Sequence, residues 1–259
     1  MMTYPALDLT GRVAVVIGGT SGIGRALAHG LATAGADVIA TGRRADQVET
    51  TAAEIEALGR RTVRAAADVT DEASLQSLFD ATVRAMGKVD ILVNSAGRTR
   101  RAPTLGFPDE DWEAILETNL MGTMRACRIF GRHMIDRGFG RIINIASIAS
   151  FVGLHEVTAY TASKAGVAGL TKSLAVEWAP FGVCVNAIAP GVFRTALNQK
   201  LLDETERGRE FLLRTPMRRY GRVEELAGAA VFLASDAASF VTGHLLVVDG
   251  GLLASGVNQ

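Results

Sequence analysis

Short apolar runs rich in valine and isoleucine recur along the chain at 13–17, 37–40, 62–66, 91–94, 141–145, 183–188 and 245–248. Their length and their flanking turn residues predict strands. Between them apolar residues return every three or four positions, which predicts amphipathic helices over 23–34, 45–58, 72–86, 111–137, 159–178 and 223–233. Strand and helix alternate from end to end, the pattern of a parallel sheet with helices on both faces, because crossovers between parallel strands are right-handed. No linker, repeat or low-complexity tract breaks the rhythm. The one long irregular stretch, 191–222, is rich in arginine and is expected to be a loop with a short helix, a lid.

At 259 residues such an α/β chain closes around one core, so a single domain over 1–259 is expected. No run of about 18 apolar residues is present, so no membrane-spanning helix is expected. The stretch MMTYPALDLTGRVAVV lacks a basic start followed by a long apolar run, and the expected location is cytoplasmic. Lysine plus arginine balance aspartate plus glutamate at 27 each, which argues against nucleic-acid or membrane partners recognised by charge and leaves small molecules. The two cysteines, Cys127 and Cys184, lie in apolar segments without metal-ligand or redox spacing; buried reduced thiols are expected, and no metal site.

The first strand runs into GGTSGIG, residues 18–24, and a helix follows at once. Glycines let the chain turn tightly and approach a pyrophosphate, and the helix N-terminus offers unpaired N–H groups with partial positive charge. The alternative is a plain strand-to-helix turn, which the strand-before, helix-after context disfavours. In a Rossmann-type unit the residue reading the adenosine ribose lies about 20 residues on, at the end of the second strand. There the chain reads TGRR, with Arg43 and Arg44 in place of an acidic residue. Two guanidiniums suit a 2′-phosphate, so NADP(H) is favoured and NAD(H) is the alternative; the bland reading is two solvated charges opening the next helix. Asp68 either receives a hydrogen bond from adenine or caps the following helix, a role for which Thr70 and Asp71 are better placed. The small residues of VNSAG, 93–97, suit a backbone lying against a cofactor.

In AYTASKAG, residues 159–166, Tyr160 and Lys164 stand four apart on an expected helix. A helix advances about 100° per residue, so both project from one face. A free phenol titrates near pH 10; an adjacent ammonium and an oxidised nicotinamide both favour its ionised form. Tyr160 is thus the candidate proton donor and acceptor, with Lys164 setting its pKa. Ser147, thirteen residues upstream at a strand end, is placed to hold the substrate oxygen; Ser150 is a competing hydroxyl. Asn119 falls inside an expected helix, as a polar functional residue or a tolerated one.

These residues in this order resemble the short-chain dehydrogenase/reductase family across essentially the whole chain: Gly18, Gly22 and Gly24, Asp68, NSAG, Asn119, Ser147, Tyr160 with Lys164, Pro190–Gly191 with Thr195, and VDGG near the end. The resemblance implies a catalytic tetrad of Asn119, Ser147, Tyr160 and Lys164, with Asn119 holding a water that links Lys164 to solvent. It implies that cofactor contacts are made mainly within 11–97, by Gly18, Ser21, Gly22, Ile23, Gly24, Arg43, Arg44, Asp68, Val69, Asn94, Ala96 and Gly97. Further contacts are implied from Tyr160, Lys164, Ile188, Pro190, Gly191 and Thr195. Ile17 and Ser95 depart from the family's usual Thr and Asn, which bears on local stability more than on chemistry.

The catalytic and substrate loops are expected mainly within 98–222. RTRRAP, 98–103, is similar to the branch holding gluconate 5-dehydrogenase and 2-deoxygluconate 3-dehydrogenase, and a guanidinium beside the nicotinamide suits a carboxylate. Arg100 and Arg101, with Ser147, His155 and Glu156, are the candidate substrate contacts; solvated loop charge is the alternative. The apolar end VDGGLLASGVNQ implies, by the same resemblance, self-association as a homotetramer. The expected activity is NADP(H)-dependent interconversion of a secondary alcohol and a ketone, on a sugar acid or polyol. The alternatives are a 3-oxoacyl-(acyl carrier protein) reductase and a non-catalytic cofactor-binding sensor.

Overall fold

The computed structural model describes residues 4–195 and 198–256. Residues 196–197 of the irregular stretch and 257–259 of the apolar end lie outside the described residues. Six parallel strands, β1 (Val13–Ile17), β2 (Asp37–Thr41), β3 (Ile91–Asn94), β4 (Gly140–Ile145), β5 (Val183–Pro190) and β6 (Leu245–Val248), form one sheet in the order β2-β1-β3-β4-β5-β6. This bears out the doubly wound α/β architecture and corrects the count of seven.

The expected strand at 62–66 does run beside the outer edge of β2. It is held at its ends, by Val38 N–H to the Arg61 carbonyl and Ala67 N–H to the Gly42 carbonyl (both 3.1 Å), and by the Thr41 hydroxyl on the Ala65 carbonyl at 2.5 Å. An edge segment has one neighbour only, and here Arg64 turns outward to Glu49 and Glu56. No regular ladder closes between the ends.

Helices α1 (Gly22–Thr33) and α9 (Ala227–Ala234) cover one face of the sheet; α3 (Glu72–Met86) and α5 (Gly122–Arg137) cover the other, and α2 (Ala45–Ala57) follows β2. The strand period of two sorts the side chains: Ala14 and Val16 face one core with Leu27, Leu31 and Leu233, while Val13, Val15 and Ile17 face the other with Leu78, Phe130 and Trp178. Both faces are buried, which is why the strands read as unbroken apolar runs.

Two expectations for the helices change. The stretch 111–137 is interrupted: α4 (Asp109–Leu116) passes into a π-helical turn over Glu117–Met121 before α5 begins. The stretch 191–222 holds two helices, α7 (Gln199–Glu204) and α8 (Glu206–Arg214), cornered by the Tyr220 hydroxyl, which donates toward the Leu202 and Gly208 carbonyls at 3.0 and 2.9 Å. The longest helix, α6 (Thr158–Trp178), packs along β5 and β4 and starts at the carboxyl edge of the sheet, the edge where ligands bind in such folds.

Candidate active site

The first turns of α6 carry Tyr160 and Lys164, as the four-residue spacing requires. Lys164 is 5% exposed; its ammonium donates to the Ile145 carbonyl at the end of β4 at 2.5 Å and lies 5.7 Å from the Tyr160 ring centroid. Burial pulls its pKa from 10.5 down to about 8. Burial also pushes the Tyr160 phenol up, opposed by a hydrogen bond with the Ser147 hydroxyl. The protein by itself therefore holds Tyr160 as the neutral acid. The expected depression of its pKa by Lys164 does not emerge without a further positive charge.

Ser147 follows β4 and accepts from Ala149 N–H at 3.1 Å, which fixes its hydroxyl toward the phenol. Its rival, Ser150, donates instead to the Lys164 carbonyl at 2.7 Å and so anchors the backbone of α6. The two hydroxyls separate into one that faces the reacting position and one that holds the helix.

Asn119 sits in the π-helical turn, and such turns recur at functional sites because they widen the helix by one residue. It is 1% exposed and fully engaged: Oδ1 accepts from Arg98 N–H at 2.8 Å, and Nδ2 donates to the Arg98 carbonyl and the Ser163 hydroxyl, each at 3.0 Å. Ser163 in turn donates to the Tyr160 carbonyl at 2.7 Å. Asn119 thus clamps the loop leaving β3 onto the catalytic helix. Gly97 passes beside this clamp, where a Cβ would stand in ordinary contact, 3.4 Å from Asn119 Oδ1 and 3.9 Å from Lys164 Nζ.

The glycine-rich turn forms a cradle. Gly18 has φ +76°, and a Cβ on it would meet Ala96 N at 2.6 Å, so no other residue fits there without displacing the β3 loop. Gly22, at φ +49°, faces open space, its nearest neighbour being the Thr195 methyl at 3.7 Å. The Ser21 side chain makes no capping bond, so the first N–H groups of α1 remain available to an anion. The Arg43 and Arg44 side chains are exposed after β2 and, among the described residues, neither guanidinium makes a hydrogen bond or ion pair, although the Arg44 carbonyl accepts from Val48 N–H in the first turn of α2. Burial opposes the charge on Asp68, but bonds from the Thr70 N–H and hydroxyl at 2.9 and 2.8 Å, with Arg43 nearby, hold its carboxyl below the usual range. The cap of α3 is Asp71, which accepts from Ala73 N–H at 2.9 Å, so Asp68 is left at the strand-end edge. This chemistry fits a dinucleotide with a 2′-phosphate.

Val69 is buried against Gly122, Ile23 packs on the α1 side of the core, and Ile188 lies within β5. Gly191 lies so close to Asp249 that a Cβ would approach its Cα to 2.6 Å, and Pro190 pairs with Val248 at the end of β5. The Asn94 side chain turns into the sheet floor, where Nδ2 donates to Asn144 Oδ1 at 2.9 Å and to the Cys127 sulfur at 3.3 Å, leaving Oδ1 buried without a partner. The two departures, Ile17 and Ser95, are absorbed by packing: Ile17 is buried, and the Ser95 hydroxyl lies beneath Gly24.

The candidate substrate residues gather at one mouth, but each has a protein partner. Arg100 and Arg98 face Asp111, Arg101 Nε donates to Glu156 at 2.6 Å, and His155 is 80% exposed with its Nδ1 3.6 Å from Glu156. Glu156 has φ +62°, a conformation held by Ala102 N–H on its carbonyl at 3.0 Å.

The family model described as enoyl-(acyl carrier protein) reductase matches residues 17–253. The chain belongs to the short-chain dehydrogenase/reductase family. As a member, it is an oxidoreductase acting on CH–OH groups. It is 42% identical over 255 residues to gluconate 5-dehydrogenase of Gluconobacter oxydans (strain 621H), covering 98% of this chain and 100% of the relative. It is 43% identical to 2-dehydro-3-deoxy-D-gluconate 5-dehydrogenase of Bacillus subtilis (strain 168), covering 96% and 98%. A solved gluconate 5-dehydrogenase from Burkholderia cenocepacia J2315, in complex with NADP and tartrate, superposes with a TM-score of 0.93 at 41% identity, covering 96% of this dehydrogenase/reductase and 98% of that chain.

Sequence reasoning passed over three residues of this reductase site. Ser163, inside YTASK, carries the Asn119 clamp to Tyr160; its place three residues after the tyrosine was the available signal. Asn198 accepts from Thr195 N–H and donates to the Phe193 carbonyl, both at 2.8 Å, and so ties the start of α7 to the segment after β5. Arg207 on α8 donates to the His155 carbonyl at 2.7 Å, a long-range contact with no local signature.

Proposed function

We propose that this protein is an NADP(H)-dependent oxidoreductase that interconverts a secondary alcohol and a ketone on a sugar acid. The observation that carries the reading is the Ser147–Tyr160–Lys164 geometry above a cradle fitted to a dinucleotide. The sugar-acid assignment draws on the full-length relatives, whose names specify gluconate and 2-dehydro-3-deoxygluconate chemistry, and on the NADP and tartrate of the solved relative.

The cradle at Gly18–Gly24 would hold the pyrophosphate, Arg43 and Arg44 the 2′-phosphate, and Asp68 the adenine. Bound NADPH supplies a hydride and, once oxidised, a positive nicotinamide ring. In reduction Tyr160 donates its proton to the nascent alkoxide, and the Ser147 hydroxyl holds that oxygen. The raised phenol pKa suits this direction, since the acid is present at neutral pH. In oxidation Tyr160 serves as the base, and the added positive charge assists the buried Lys164 in favouring the phenolate. Asn119 positions the loop over Lys164 through its bonds to Arg98 and Ser163. The protein acts in the cytoplasm as a homotetramer.

The test is NADPH consumption by the purified protein with 5-ketogluconate and, in parallel, with an acetoacetyl thioester. Faster turnover of the keto acid is expected. Preference for the thioester would replace this reading by acyl reduction, and no turnover of any carbonyl with tight NADPH binding would make the protein a sensor. Sedimentation at working concentration checks the tetramer.

A further inference from the structure

The mouth of the site holds more positive charge than its carboxylates neutralise. Arg98, Arg100, Arg101 and Arg207 converge there from the loop after β3 and from α8, and they face Asp111 and Glu156. Asp111 takes Arg98 and Arg100; Glu156 takes Arg101. Arg207 is left with no ion pair among the described residues. Its recorded hydrogen bond is to an uncharged acceptor, the His155 carbonyl, and its guanidinium lies 5.6 Å from the Phe211 ring centroid. The two carboxylates on its own helix are taken, Glu206 by Arg209 at 2.6 Å and Glu210 by Arg214 at 2.9 Å. A guanidinium offers five N–H donors in a planar fork, so most of this one remains to be satisfied.

The surroundings of Arg207 point the same way. It is partly buried, and burial together with the neighbouring Arg101 works against its charge, while Glu156 and Glu210 favour it. Two guanidiniums thus flank one carboxylate at the rim. A second carboxylate placed between them would pair with the unused fork of Arg207 and relieve the repulsion. The rim is also tied to the chemistry. Glu156 precedes Tyr160 by four residues, and the Thr158 hydroxyl meets Thr104 at 2.7 Å, so the loop after β3 is bonded to the start of α6.

We propose that Arg207 is the residue by which this enzyme recognises the carboxylate of its substrate, with Arg101 on the facing rim and α8 as the element that brings the guanidinium to it. This rests on the sugar-acid reading above. Arg207 is a specificity residue, remote from the reacting carbon, and it couples anion binding to the seating of α8 on the 155–156 segment. An uncharged ketose has nothing to offer the fork and gains nothing from it.

The experiment uses the full-length protein with saturating NADPH and compares 5-ketogluconate with fructose, an uncharged ketose, in wild type, Arg207→Ala and Arg207→Lys. A charge-assisted bond lost at the substrate carboxylate raises KM for the keto acid by about tenfold to a hundredfold in Arg207→Ala. KM for fructose stays within about threefold. Arg207→Lys, which keeps the charge without the fork, falls between. An equal rise for both substrates would make Arg207 a lid latch on His155 and overturn the assignment, as would an unchanged KM for the acid. If Arg207→Ala fails to fold, Arg207→Lys decides by the same ratio. A wild type with no preference for the acid over the ketose removes the sugar-acid reading; a wild-type preference that survives in Arg207→Ala removes only the role of Arg207.

Discussion

The floor of the site and its mouth are built on opposite terms. On the floor, Lys164, Ser147 and Asn119 are almost sealed from solvent, and each polar group meets a backbone or side-chain partner of fixed position. At the mouth, Arg98, Arg100, Arg101 and His155 are about half or more exposed and are joined by ion pairs. Buried hydrogen bonds are costly to leave unmade, whereas exposed ion pairs are weak and exchangeable. Under the proposed function, the reaction would rest on a floor that tolerates little change, and substrate choice on a rim that can be rewritten residue by residue.

The contrast breaks most sharply at Tyr160. Tyr160→Phe removes only the hydroxyl of the proposed proton donor, and kcat should fall by about 10²–10⁴-fold while NADPH affinity, read by fluorescence titration, stays within a few-fold. Retained turnover would move the proton transfer elsewhere.

The next effect is on stability and its pH dependence. With a folded pKa of about 8 against 10.5, Lys164 costs the cofactor-free protein roughly 3 kcal/mol below pH 8, where both states carry the proton. Between about 8 and 10.5 the unfolded chain holds a proton that the native state has lost, so stability from this group rises with pH across that window. Wild type should gain on Lys164→Met between pH 7 and 10 in urea unfolding. A constant difference would mean that Lys164 is not desolvated.

Asn119→Ala cuts the link between floor and mouth. It strands the N–H and carbonyl of Arg98, at about 1–3 kcal/mol of stability, visible in the urea midpoint, and KM should rise with kcat less affected. Arg100→Ala, at the other extreme, loses one partly exposed ion pair, and its stability should change by less than about 1 kcal/mol with KM for the keto acid nearly unchanged. A large KM effect there would return Arg100 to the substrate.

What was legible in the sequence follows the same division. The cradle, the Tyr160–Lys164 pair and Ser147 could be read because backbone geometry and helical spacing are local. The strand at 62–66 was overread because a short apolar run marks an edge segment as readily as a paired strand; the ladder depends on β2, which composition does not report. The π-helical turn was invisible because a weak helix former such as Asn119 marks no particular helix type, and the extra residue per turn accompanies the tertiary bonds of Asn119. The partners of Arg100, Arg101 and Arg207 join segments up to 55 residues apart, so only the folded chain decides which arginine is paired and which is left over.

The floor also contains a silent chemical reporter. Cys127 on α5 is buried against the sheet beside Asn94, and burial pushes its thiol up to about 12. Thiolate is the reactive form, so alkylating reagents cannot touch it while β3 and α5 stay closed. Cys184 is partly accessible and is modified first. The slow second modification then times the opening of the native fold itself, and slowing of that phase by a bound cofactor would measure how tightly the floor is held shut.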